Sequence, residues 1–183
     1  MLSKIWLIPL VFTILLVSSI GNAFAASDYF LKIDGVEGES TDDKHRGQIE
    51  IQSWSWGVSN AGSIASGGGG GAGKASFSDF HFTMPVSKAS PKLMQAAATG
   101  EHIKSVELTL RKAGGTQMDY YKVHLQDCLV SSYQSSGSSG GDLPMEEISF
   151  NYQQISFEYV PEKSDGTADA AVKASWNLAT NTR

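Results

Sequence analysis

From Ala26 onward, apolar and polar side chains alternate with the period of two that a half-buried β-strand imposes. The first such run covers residues 28–34, with Phe30 and Leu31 near its start. Residues 35–47 then interrupt it with a long, polar, glycine-rich stretch. Loops of that length inside a compact domain are uncommon and often functional. Alternation resumes over residues 48–60, but its phase changes: Ile49 and Ile51 share one parity, and Trp54, Trp56 and Val58 share the other. The slip falls near Ser53. Similar slips separate Phe77 from Phe80, Phe82 and Met84, Leu125 from Cys128 and Val130, and Tyr152 from Ile155, Phe157 and Tyr159. A shift of one residue sends every following side chain to the opposite face, so the fold must absorb it with a bulge or a bend. Long strands that bend midway predict a mainly β chain, closed as a barrel or folded as two orthogonal sheets.

One helix interrupts the strands. Ser90 is placed as its N-cap, Pro91 as its first residue and Gly100 as its stop, with helix formers over residues 92–99. Leu93, Met94 and Ala97 would supply its buried stripe, against the barrel or inside it. Beyond it, residues 103–113 and 118–132 read as a hairpin turning at Gly114-Gly115, a pair suited to positive φ. Residues 135–141 form a Ser/Gly link. Strands are expected over 145–160 and over 173–179, the latter carrying Trp176.

The segment before this pattern has a different character. In residues 1–25, Lys4 is the only charged side chain, an apolar run follows from Ile5 to Val17, and Ala23-Phe24-Ala25 offers small residues at a cleavage position. That is the make-up of a secretory leader removed before Ala26, with an uncleaved membrane anchor as the alternative. The chain is thereby divided into a leader, 1–25, and one barrel domain, 26–183. Over the whole chain, 14 Lys and Arg face 19 Asp and Glu, a formal charge of −5. A nucleic-acid protein shows a clustered basic face instead. A single cysteine leaves no intramolecular disulfide framework.

Several patterns suggest chemistry and then fail on context. Residues 68–74 match G-x-x-x-x-G-K, but Ala75 stands where a Mg²⁺-binding hydroxyl belongs, and the segment that follows alternates as a strand. A surface loop over 62–73 is the better reading. His45, His81, His102 and His124 lack metal-ligand spacing, and the parities of His81 and His124 point them outward. Cys128 sits on an apolar strand face and reads as a small buried hydrophobe. The pairs Asp42-Asp43 and Glu146-Glu147 read as exposed, in a loop and at a strand entry. Trp54 and Trp56 share a parity with Val58 and read as core. No catalytic, cofactor-binding or metal residue is assigned, and the residues point to a binding or assembly module.

Six strings, in order, carry a resemblance: FLKIDGVEGES (30–40), WSWG (54–57), GGGGGAGK (67–74), LTLRKAGG (108–115), FEYVPEKSDG (157–166) and Trp176-Asn177. Together they resemble the haemolysin-coregulated protein (Hcp) family of the bacterial type VI secretion system. The resemblance implies a tight antiparallel β-barrel of two sheets with one flanking α-helix. It also implies a homohexameric ring, stacked head to tail into a tube that is expelled from the cell with small effectors in its lumen. Implied partners are further copies of the chain, a tip protein, a contractile sheath and effector cargo, with no nucleic acid and no membrane insertion of the mature domain. On this view Trp54 and Trp56 are core, while Ser53 and Ser55 face the lumen and its cargo. The 35–47 loop, through Glu37, Glu39, Asp42, Asp43 and Lys44, reaches a neighbouring ring. The product is secreted from the cytoplasm, or periplasmic where the leader is used. The leader departs from the family pattern and leaves an alternative open: an exported β-barrel binding or adhesion protein that kept the fold without joining a tube.

Overall fold

The computed structural model describes residues 27–60, 74–113, 117–141 and 143–183. The expected leader, the glycine loop over 62–73 and the Gly114-Gly115 turn lie outside these residues. The described strands are β1 (Ser27–Ile33), β2 (Ile49–Glu50), β3 (Ser53–Ser55), β4 (Val58–Asn60), β5 (Ala75–Phe77), β6 (Phe80–Pro85), β7 (His102–Lys112), β8 (Asp119–Ser136), β9 (Met145–Tyr159) and β10 (Val172–Asn177). One helix, α1 (Ser90–Thr99), lies between β6 and β7. An eight-stranded sheet runs β2-β1-β7-β8-β9-β6-β3, with β10 added to β9, and β4 and β5 form a separate two-stranded sheet. Every pairing is antiparallel. The chain is thus the mainly β, antiparallel, two-sheet barrel that was expected, with one helix on its flank.

The phase slip near Ser53 marks where the barrel closes. Leu31 of β1 pairs with Ile49 of β2, while Phe82 of β6 pairs with Trp54 of β3. Between them the Ile51 amide donates to the Tyr29 carbonyl and the Gln52 amide donates to the Thr83 carbonyl. One short stretch of chain therefore hydrogen-bonds to both ends of the strand order. Ile49 and Ile51 are buried under β1, and the parity then reverses as the chain crosses to β6.

The slips on β8 and β9 form a crease that β7 shares. Ile103, Cys128 and Tyr152 lie on one rung of β7, β8 and β9; Val106, Leu125 and Ile155 lie on another, and all six are buried. Two residues separate the buried positions in each strand, where alternation allows one. Asp127, between the two rungs on β8, takes φ 53°, a conformation that Asp adopts more readily than most L-residues. The three strands bend together, and pairing on either side of the crease keeps its register. A separate register shift falls between Val130 and Ser132.

The helix departs from expectation at its start. Ala89 is the N-cap and makes no side-chain cap bond. Ser90 is the first helical residue, and its hydroxyl accepts from the Ser87 amide and donates to Glu146 Oε2 at 2.8 Å. Tertiary bonding thus claims the hydroxyl that would have capped the helix. Gly100 ends the helix as expected, at φ 67°, its amide on the Ala96 carbonyl. Leu93 and Ala96 are buried on the side packed against β8, and Ala97 is half-buried. Met94 is 50% exposed and lies outside the stripe assigned to it.

Candidate assembly surfaces

β3, β6, β9 and the end of β8 present a face of polar side chains, half of them serines. Ser53, Thr83, Glu147 and Gln134 form one rung; Ser55, His81, Ser149 and Ser132 form the next. Ser53 and Ser55 are both exposed. The Ser53 and Thr83 hydroxyls are 2.7 Å apart, and Ser149 Oγ is 2.6 Å from His81 Nδ1. Alongside, the Asp79 carboxylate accepts from the Ser131 hydroxyl and the Asn151 amide. Alternation sends Trp54 and Trp56 the other way. Trp54 stacks on Phe80 and Tyr121, at 6.4 and 5.7 Å between centroids, and Trp56 meets Phe157 at 6.2 Å. Both indoles are half-buried and pack against the core cluster without being enclosed by it.

The 35–47 loop lies back on its own barrel. The Gly38 amide donates to the Gly47 carbonyl, the Gly47 amide to the Ser40 carbonyl and the Ser40 amide to the Gln48 carbonyl. A Cβ at position 38 would stand 2.2 Å from the Gln48 carbonyl oxygen, so only glycine fits there. The folded loop covers the outer side of β1 and β7, where Phe30, Thr109 and Arg111 are buried. His45, also buried, stacks on Phe30, with Nδ1 3.2 Å from Gln48 Oε1 and Nε2 3.1 Å from Asp119 Oδ1. Arg111 donates to Asp42 Oδ1 at 3.4 Å and to Gln117 Oε1 at 2.8 Å, and its Nε has no partner among the described residues.

These contacts divide the five loop residues singled out from the sequence. Asp42 accepts from the Lys44 and His45 amides as well as from Arg111. Desolvation by itself would raise its pKa, but the two amides and the guanidinium outweigh it and hold the carboxyl below the usual range. Glu37 pairs with Lys88 Nζ at 3.3 Å, and Glu39 accepts from the Lys88 amide. Asp43 and Lys44 are exposed.

Glu146 corrects the reading of the paired acids. Asp43 and Glu147 are exposed as read, but Asp42 is half-buried against Arg111, and Glu146 is buried and accepts from the Ser90 and Tyr133 hydroxyls. Its parity with Ile148 and Phe150 was the available signal. His124, expected to face outward, is half-buried with Nδ1 3.8 Å from Glu107. Cys128 is buried, and desolvation, with the nearby Asp127 carboxylate, pushes its thiol up to about 12. Among the described residues no cluster of His, Cys, Asp and Glu is arranged to hold a metal ion.

Residues 30–159 match the family described as "Type VI secretion system effector, Hcp". The chain is 43% identical over 158 residues to "Protein hcp1" of Pseudomonas aeruginosa, covering 85% of this chain and 98% of that one. It belongs to the Hcp family. Solved structures agree with that assignment. One, described as a type six secretion system protein, superimposes with a TM-score of 0.82 at 38% identity, over 86% of this chain and 99% of its own. Hcp1 from Salmonella typhimurium gives 0.71 at 33% identity, over 86% and 98%. As an Hcp protein the chain is a component of type VI secretion, and its curled sheet with one helix is the fold its relatives share.

Proposed function

We propose that this chain is a tube subunit of the type VI secretion system. Six copies form a ring, rings stack into a tube, and the tube is expelled with small effectors in its lumen. The observation that carries this reading is the polar face of β3, β6, β9 and β8, backed by the half-buried Trp54 and Trp56. Its serines, His81 and Thr83 leave room and hydrogen-bonding capacity for a small folded cargo, and Ser53 and Ser55 stand at its edge. A ring with identical subunits needs a heterologous contact, two different patches meeting between neighbours. Phe157, Tyr159 and Val172 lie on adjacent paired strands at 36%, 45% and 64% exposure, and supply apolar area for such a contact. Of the five loop residues singled out, Asp43 and Lys44 are left for a stacked ring, while Glu37, Glu39 and Asp42 also serve their own chain. The tip protein, the sheath and the cargo are its partners in this reading. Native mass spectrometry and negative-stain microscopy of the purified protein test it: a sixfold ring with an open lumen is expected, and a monomer at micromolar concentration overturns it. The apolar segment 1–25 favours one second reading, an exported barrel that binds without joining a tube, and a periplasmic monomer beginning at Ala26 would establish it.

A further inference from the structure

A cleft of about 700 Å³ opens where β1 ends, between the long loop and the start of α1. Lys32 of β1, Lys44 and Arg46 of the loop, and Lys88 and Lys92 around the first turn of α1 line it, against the carboxylates of Asp34 and Glu37. Its walls are held in place. Lys32 lies in a strand paired with β7, Lys92 lies in the helix, and the loop is closed by the backbone bonds of Gly38, Ser40 and Gly47.

The cations of this cleft are largely uncommitted. Lys32, Lys44 and Arg46 enter none of the ion pairs among the described residues, and all three are exposed. Glu107 stands opposite Lys32 in the register of β1 and β7, yet its carboxylate lies 3.8 Å from His124 instead. Lys92 Nζ donates to the Gly35 carbonyl at 2.6 Å, a neutral acceptor that leaves its charge uncancelled. Lys88 meets Glu37 at 3.3 Å with side chains 47% and 86% exposed, and ion pairs so exposed hold weakly. Five cations against two carboxylates make a local positive field on a chain whose formal charge is −5.

That contrast sets the chemistry of the ligand. An extended polyanion or an anionic membrane would bring its charge against the acidic remainder of the chain, whereas a compact anion meets the cleft alone. Clefts of this volume hold molecules of nucleotide size. Phosphate groups pack several negative charges into that space, and the Arg46 guanidinium offers the fork that grips a phosphate through two parallel hydrogen bonds. None of the described residues that line the cleft is aromatic, and Ile33 and Val36 are its only branched apolar side chains, so it has no platform on which a base would stack.

We infer that the cleft binds a compact, soluble, phosphate-rich anion, held by its phosphates through Lys32, Lys44 and Arg46, with Lys88 and Lys92 completing the ring of charge and any attached base left unread. This site goes beyond the tube reading and shares no residue with the polar face of β3, β6 and β9. Of its cations, Lys44 also serves a stacked ring in that reading, so the variants that test the site are made at Lys32 and Arg46.

The test is isothermal titration calorimetry of the full purified chain with sodium tripolyphosphate. Saturable binding of one anion per chain is expected, with ATP and GTP within about threefold of tripolyphosphate and inorganic phosphate weaker by about tenfold or more. Binding should weaken about tenfold or more as salt rises from 0.1 to 1 M, where the screening length falls from about 10 to about 3 Å. Lys32→Glu and Arg46→Glu should each weaken it about tenfold while leaving the melting temperature of the ligand-free protein within a degree or two. Lys163→Glu, the same change of charge at an exposed lysine outside the cleft, should alter it less than about twofold. Three results overturn the inference: no saturable binding, a loss with Lys163→Glu as large as with Arg46→Glu, or a preference for one base that tripolyphosphate does not match. Capture of the protein by phosphatidylglycerol vesicles that tripolyphosphate fails to reverse also overturns it, in favour of a membrane surface. Microscopy of the same sample reads ring formation separately, so the tube reading stands or falls on its own result.

Discussion

The imidazole of His45 lies flat on the ring of Phe30, with 4.4 Å between centroids and 9° between planes. Phe30 has the parity opposite Leu31, so on a bare barrel it would face water. The stack buries it and brings Asp42, Arg111 and Asp119 together beside it. The long loop is held in place by that second, outer cluster.

Arg111 is the cation around which the cluster is organised. Arg111→Ala should cost about 1.5–3 kcal/mol, the range for hydrogen bonds to charged groups. Residues 38–48 should lose amide-exchange protection before the barrel strands do. Urea melts together with exchange mass spectrometry check this. Unchanged protection in the loop would show that the guanidinium does not hold it.

Trp54 and Ser55 are neighbours in sequence with opposite environments. Trp54→Ala removes a ring stacked on Phe80 and Tyr121, and should cost roughly 3 kcal/mol, the low end for large-to-small aromatic changes because the indole is half-exposed. Ser55→Gln should leave the melting temperature within a degree or two while changing how much cargo co-purifies with the ring. Equal destabilisation by the two substitutions would contradict the assignment of faces.

Glu146 ties the first turn of α1 to the sheet. Glu146→Ala leaves the Ser90 and Tyr133 hydroxyls without their acceptor and should cost about 1–3 kcal/mol. Glu146→Gln keeps an acceptor oxygen in the same place and should lose less than half as much. Thermal unfolding of the two variants separates the hydrogen bonds from the negative charge.

Alkali should unfold the protein in a defined window. Burial pushes Tyr133 and Tyr152 up to about 12 from 10.0, the first helped by Glu146 and the second by Asp79, and Cys128 up to about 12 from 9.0. Each group is an acid whose folded pKa exceeds its unfolded one. The unfolded chain therefore gives up these protons first, and the stability they contribute is complete below pH 9 and lost between about 9 and 12. The buried Cys128 and Tyr152 each add up to about 1.4 kcal/mol per pH unit to that slope, and the more exposed Tyr133, screened by water, adds less. Cys128→Ala should remove the part that begins near 9. A pH series of urea melts giving identical slopes for both proteins would refute the assignment.

Much of this architecture was legible in the order of residues, because a barrel strand writes one face in apolar letters and bends where the letters slip. The breaks near Ser53 and between Leu125 and Cys128 are where the chain changes partner or creases. Gly100 was legible because a left-handed helix end selects glycine. Ser90 was not, since its hydroxyl prefers a tertiary acceptor 56 positions away over a local cap. Glu146 was misread because a carboxylate at a strand entry ordinarily marks solvent, and here two hydroxyls meet it. The outer cluster of Phe30, His45, Thr109 and Arg111 was beyond reach. Alternation reports the face turned toward the barrel and is silent about a loop laid across the other side. The polar face was only half legible: Ser53 and Ser55 follow from the tryptophans beside them, but their meeting with His81 and Ser149 depends on strand register.

The stretch that bonds first to β1 and then to β6 is also a ruler. Between Glu50 and Ser53 only two residues are available to carry the chain from one edge to the other. One residue more or fewer would turn β3 over, putting Trp54 where the serines stand and the serines where Trp54 packs. Surface loops commonly vary in length without harm, but this connection does not have that freedom. A single inserted or deleted codon there would exchange the wetted side of the wall for its greasy side, with the composition of the chain almost untouched.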